Sequence, residues 1–196
     1  MLTKFAKFIL LMSVLCAVLL VPISCKRLSQ IRAKSNMRNT IFNMQKHRVK
    51  LYLNRMAYCV PDNDTARADT STAPYRLVTY IDSTNCTPCM LNKMHQWNDI
   101  IDYTRANGNH VNYIFIFEPK ADHIEDAHFA VESSGLKNRV YLDTASVFRK
   151  ENKFIPKDSK YHTMLIDKND SIILIGNPKY NKKIEKIFLY VITMVR

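Results

Sequence analysis

The sequence predicts an α/β fold, and three observations point to it. Short apolar, β-prone runs at Leu77–Ile81 and His110–Glu118 each precede a stretch whose apolar residues recur at helical spacing. Tyr161–Asp167 and Ser171–Ile175 read as two strands joined by the polar turn Lys168-Asn169-Asp170. Cys86-Thr87-Pro88-Cys89 falls between the first strand of this region and its first helix. From about Tyr75 onward the expected order is β-α-β-α-β-(α)-β-β-α.

The front of the chain is of another kind. Lys4 and Lys7 form a positive start, and Phe8–Val21 is a run of about 14 apolar or small residues, the length of a signal-peptide core and short for a membrane span. Ile23-Ser24-Cys25 follows and looks like a bacterial lipobox, which would make Cys25 the lipidated first residue of the mature chain. Pro22 and Ile23 depart from the usual pattern. The competing reading is an uncleaved signal anchor. Residues 1–24 are thus read as a signal peptide or membrane anchor.

Residues 25–74 are read as a basic juxtamembrane segment and connector. Residues 1–61 hold 11 Lys or Arg and no Asp or Glu, whereas the remainder holds 18 basic and 17 acidic residues. The net charge of +12 is therefore almost all at the front. A globally basic nucleic-acid binder would not divide this way. A basic tract just after an apolar segment suits anionic lipid head groups, or is a solvated helix or tether. Ile41, Phe42, Met44, Val49, Leu51, Leu53 and Met56 support a helix over part of the span, with strand character near 51–60. Residues 61–74 are polar and bounded by Pro61 and Pro74, a connector.

In the region from Tyr75, Ser83, Thr84 and Asn85 are turn and capping residues. Pro88 sits where its missing N–H costs least, in the first turn of a helix expected to run to Ala106. Leu91, Met94, His95, Trp97, Ile100 and Ile101 recur at helical spacing along that helix, and Asn107-Gly108 ends it. A helix from Asp122 to Ser134, a strand over 139–142, a short helix from Asp143 to Asn152, the hairpin, and a closing amphipathic helix over 180–195 complete the region. Tyr113, Phe115 and Phe117 share a strand with Ile114 and Ile116 and read as core. Two thiols at a helix start face free backbone N–H groups, which favour a thiolate.

This order, with Cys-Thr-Pro-Cys opening the first helix, resembles the thioredoxin fold. It looks most like exported, membrane-tethered bacterial thioredoxin-like proteins related to the thiol-disulfide reductases of cytochrome maturation. Residues 77–89, 113–120 and 161–178 carry the likeness, which spans residues 76–196. The resemblance implies a thioredoxin-like domain with a central mixed sheet flanked by helices. It implies a tethered thiol-disulfide oxidoreductase in the bacterial cell envelope, anchored in a membrane and facing the periplasm. Cys86 would be the exposed nucleophile and Cys89 the resolving thiol.

Thr87, Pro88, Asp82 and His162 are candidate supports. The expected partners are exported proteins with disulfides or thiols, an electron donor or acceptor, and the membrane; no cofactor, metal or nucleic acid is expected. Two departures stand out. The family has a cis-proline facing the cysteine pair, where this chain has Tyr161-His162-Thr163, and an aromatic before the first cysteine, where it has Asn85. Nor does strand Leu77–Ile81 carry a buried acid, so only Asp82, at its end, could serve as proton acceptor. A second reading is therefore a non-catalytic binding module or redox sensor. A third is copper(I) binding, with Met90, Met94 and His95 beside the thiols. Cys59 reads as a small buried residue or as a further thiol for Cys86.

Overall fold

The computed structural model describes residues 27–61, 73–84, 88–91, 93–108 and 111–194, with residues 88 and 89 described in their backbone only. The chain divides into two compact units, Met1–Asn43 and Met44–Arg196. Residues 27–44 form helix α1, with Leu28, Ile31 and Phe42 exposed. The apolar run and Cys25 lie outside the described residues. Among the described residues no helix is long and apolar enough to cross a membrane.

The second unit is built on a six-stranded sheet. Its strands are β1 (Ala57–Cys59), β2 (Tyr75–Ile81), β3 (Val111–Phe117), β4 (Val140–Leu142), β5 (Thr163–Asp167) and β6 (Ile172–Ile175), in the spatial order β1-β4-β3-β2-β5-β6. β2, β3 and β4 are mutually parallel, and β5, β6 and β1 run antiparallel to their neighbours, so the sheet is mixed. β2 lies between β3 and β5 and is buried from Leu77 to Ile81.

Burial of both faces explains why β2 and β3 read as continuous apolar runs. Side chains alternate across the sheet. Leu77, Ile81, Phe115, Phe117, Leu142 and Leu165 share one core cluster with Leu91, Trp97, Ile101, Ala127, Val131, Phe188 and Ile192. That cluster joins the sheet to α2 (Pro88–Leu91), α3 (Asn98–Ala106), α4 (Ile124–Glu132) and α6 (Lys182–Thr193). The Trp97 ring meets Phe115 edge-on at 5.4 Å. On the alternate positions, Tyr80 packs at 4.9 Å on Phe148 of α5 (Val147–Glu151).

The compact unit begins at Met44 rather than at Tyr75. Met44, Val49 and Cys59 are buried. Val49 N–H donates to the Asp170 carbonyl at 2.9 Å, and Asn152 clamps Lys50 by accepting from its N–H and donating to its carbonyl, each at 2.8 Å. β1 then pairs with β4. What reads as a juxtamembrane connector is, from residue 44 to 61, part of the folded unit. The hairpin turn that receives it is organised by Asp167, whose Oδ1 accepts from Asn169 and Ser171 N–H at 2.8 and 2.9 Å. Asp170 takes the left-handed conformation there (φ 64°), which Asp tolerates better than most residues.

The helix expected over 88–106 is not uniform. α2 is one turn, Met94–Trp97 winds as a 3₁₀ turn, and α3 starts at Asn98. Lys93 N–H to Met90 O and Gln96 N–H to Lys93 O, both 3.2 Å, are i→i+3 bonds. The macrodipole behind the cysteine motif is therefore that of a single turn.

Candidate active site

The cysteine motif follows the central strand. β2 ends at Ile81, and α2 begins at Pro88. Between them Asp82 starts an Asx turn: its Oδ1 accepts from Thr84 N–H at 3.1 Å and from Thr84 Oγ1 at 2.7 Å. Cys86 and Thr87 lie outside the described residues. Cys89 is the second residue of α2, and its side chain, like that of Pro88, is not among those described. The described part of the site is the sheet edge from which the motif departs.

Register brings three ionisable residues to that edge. Glu118 N–H donates to Ile81 O at 2.8 Å, and Tyr80 N–H donates to His162 O at 2.9 Å. Asp82, Glu118 and His162 therefore sit at the ends of three neighbouring strands, where the parallel β2–β3 pair meets antiparallel β5. Open α/β sheets bind and react at such edges.

His162 lies beside the end of β2 and is 4% exposed. Its Nε2 lies 2.8 Å from the Pro156 carbonyl, which can only accept, so Nε2 carries a proton. In the neutral ring Nδ1 is then a lone pair. It has no hydrogen-bond partner among the described residues, and the Asp82 Oδ2 lies 3.9 Å away. A buried polar atom left this way is rare enough to need a reason. The Asp82 side chain is 14% exposed.

Sequence reasoning finds no buried acid in β2 and does not extend to the adjacent strand. Glu118 is the acid found there. It is 3% exposed, at the end of β3. The Tyr80 hydroxyl donates to its Oε2, while Arg149 Nη2 and Ser146 Oγ donate to its Oε1 at 2.7 and 2.8 Å. Burial, and then the hydrogen bond to Glu118, push the Tyr80 hydroxyl far above the ordinary tyrosine range, so it stays neutral. The Tyr80 ring also lies 5.1 Å from the His162 ring, which links the two acid–base groups through one aromatic side chain. Phe-Glu-Pro at the end of an apolar strand was the available signal. A third strand-end acid, Asp143, is occupied: its two oxygens accept from Val147 and Phe148 N–H at 2.7 Å each, starting α5.

Of the soft-ligand set, the two thiols lie outside the described side chains. Met94 is in the core at 4% exposure, whereas Met90 is 38% exposed and His95 is exposed. Tyr113, Phe115 and Phe117 are core residues, as read from their strand. Cys59 is buried, also as read, but a different set of donors surrounds it: His128 and Glu132.

The sheet order, the parallel β2-helix-β3 unit, the antiparallel β5–β6 hairpin and the closing helix make the fold thioredoxin-like. No family model and no curated protein matches the sequence. Solved structures do match. A Chlorobium tepidum protein named for thiol:disulfide interchange shares 15% identity at TM-score 0.47, over 70% of this chain and 99% of its own. The thioredoxin domain of a Bacteroides vulgatus thiol-disulfide oxidoreductase shares 15% at 0.40, over 60% and 81%. A hypothetical protein from Sinorhizobium meliloti shares 16% at 0.39, over 55% of this chain and 58% of its own length. These likenesses concern the fold alone.

Proposed function

We propose that the chain is a membrane-tethered thiol-disulfide oxidoreductase acting on exported proteins through Cys86 and Cys89. The observation that carries this reading is the position of Cys86-Thr87-Pro88-Cys89 in the chain. In sequence it follows the end of the central strand, and its last two residues open α2; Asp82, His162 and Glu118 stand at the ends of that strand and its two neighbours.

In the reducing direction, the Cys86 thiolate attacks one sulfur of a substrate disulfide. That S–S bond breaks, a mixed disulfide forms, and the departing substrate sulfur takes a proton. The Cys89 thiol loses its proton and attacks Cys86, releasing the second substrate thiolate, which is protonated in turn. Two electrons have moved to the substrate and the pair is left as a disulfide, which a dithiol protein must reduce for another turn. The lone pair of His162 and the Asp82 carboxylate are the groups that would take the Cys89 proton.

The tether rests on Lys4, Lys7, the apolar run and Cys25, and places the enzyme in the bacterial cell envelope. Mass spectrometry of the mature N-terminus tests this part: a lipidated Cys25 supports it, and an intact Met1 removes the lipoprotein form.

The enzymatic part is tested by insulin reduction with the wild type and Cys86→Ser. Turnover lost in the variant supports the reading, and equal turnover contradicts it. His162 in place of a proline favours the sensor or binding-module alternative. Trapping with Cys89→Ser separates the two, since an enzyme collects many mixed-disulfide partners and a sensor one or none.

A further inference from the structure

Away from the cysteine motif, the structure gathers three donors of different chemistry. Cys59 is the last residue of β1, paired in the ladder with Val140 and 4% exposed. His128 and Glu132 stand one turn apart on α4, so their side chains share a face of that helix. One ligand atom from each, Cys Sγ, a His ring nitrogen and a Glu oxygen, lies within 4.8 Å of the other two. We infer that Cys59, His128 and Glu132 form a binding site for one borderline-soft divalent cation of zinc's kind.

Three considerations support this. Thiolate, imidazole and carboxylate are the donor types zinc accepts, and three protein ligands with an open fourth position is a common zinc arrangement. Thiolate and carboxylate together carry two negative charges, which a divalent cation neutralises at the margin of a buried cluster. The geometry is also within reach. Tetrahedral zinc holds its donors roughly 3.3–3.6 Å apart, so a set within 4.8 Å needs only a side-chain adjustment. The His128 ring and the Glu132 carboxylate can make that adjustment, because neither is engaged in a hydrogen bond or ion pair among the described residues. The backbone positions are fixed by the β1–β4 ladder and by α4. A bound ion would pin the short edge strand β1 to α4. No sequence motif announces the site, since Cys59 and His128 are 69 residues apart.

The site is independent of the proposed redox pair, and its test removes that pair. The full-length chain carrying Cys86→Ser and Cys89→Ser, kept reduced, is titrated with cobalt(II) and then with zinc(II). The expected result is one cobalt per chain with a thiolate-to-cobalt charge-transfer band that zinc bleaches. Cys59→Ser abolishes the band. His128→Ala and Glu132→Gln each weaken binding by at least about tenfold. Glu132→Gln changes only a carboxylate on α4, so circular dichroism matching that of the parent separates lost affinity from lost fold. A band that survives Cys59→Ser, the absence of any band, or unchanged affinity in both the His128 and Glu132 variants would overturn the assignment. Because neither motif cysteine is present, failure here leaves the oxidoreductase reading untouched, and failure of that reading leaves this one.

Discussion

Replacing Tyr80 by Phe removes one hydroxyl and keeps the ring that packs on Phe148 and His162. Glu118 then retains Arg149 and Ser146 on Oε1, but its Oε2 loses the donor it has in the wild type. Glu118 is 3% exposed, so little water can replace that donor. Hydrogen bonds to charged groups contribute about 1.5–3 kcal/mol. For a chain of this size that lowers the melting temperature by roughly 3–12 °C. The effect has a pH signature. The folded-state pKa of Tyr80 is raised above the ordinary 10.0, first by burial and then by Glu118. The folded chain therefore keeps a proton that the unfolded chain releases. The associated stability is complete below the unfolded value and is lost as pH rises through it toward the folded value, at about 1.4 kcal/mol per pH unit. Tyr80→Phe has no such proton to lose, so variant and wild type converge in alkali. Tyr113, raised by burial as well, keeps its own contribution in both. Denaturant titrations followed by the single tryptophan, the buried Trp97, near neutral pH and above about pH 10 measure both terms. Equal stability at neutral pH with an unchanged alkaline slope would refute the account of this network.

Other perturbations test the remaining parts. Asp143→Ala removes two acceptors of backbone N–H groups at the start of α5 and should cost roughly 2–4 kcal/mol in equilibrium unfolding, with Asp143→Asn recovering part of it. Asn152→Ala frees Lys50 from its clamp and should bring faster proteolytic cleavage within residues 44–61, read by mass spectrometry, while the sheet core stays protected. His162→Gln removes the Nδ1 lone pair and should slow insulin reduction roughly 10–100-fold with Cys86 alkylation unchanged; equal turnover would remove His162 from proton transfer.

The sheet was legible where neighbouring residues alone determine the outcome. Tyr113–Phe117 is apolar on both faces because β3 is buried on both there, and the hairpin is marked by its own turn residues. β1 falls within the strand character read near 51–60, but its place in the folded unit was obscured because its partner is β4, more than 80 residues on, and because Met44, Val49 and Cys59 are scattered among basic residues. Nothing local distinguishes such a segment from a solvated tether. The winding of 94–97 was hidden for a related reason: the apolar spacing of Leu91, Met94 and Trp97 suits a 3₁₀ turn as well as an α-helix. At the candidate sheet edge, the positions of Asp82 and His162 were legible because each adjoins a strand end that could be read. Glu118 was not, because it lies off β2, and only the parallel register brings β3 to the same edge. The donors around Cys59 were out of reach, since spacing in sequence carries no information about a helix packing across an edge strand.

The alkylation rate of Cys86 in the reduced full-length chain, at neutral pH, tests the redox proposal most directly. The account predicts iodoacetamide modification at least about tenfold faster than that of free cysteine, with the fast phase absent from Cys86→Ser. A rate no faster than free cysteine, or a fast phase that survives in Cys86→Ser, would contradict it.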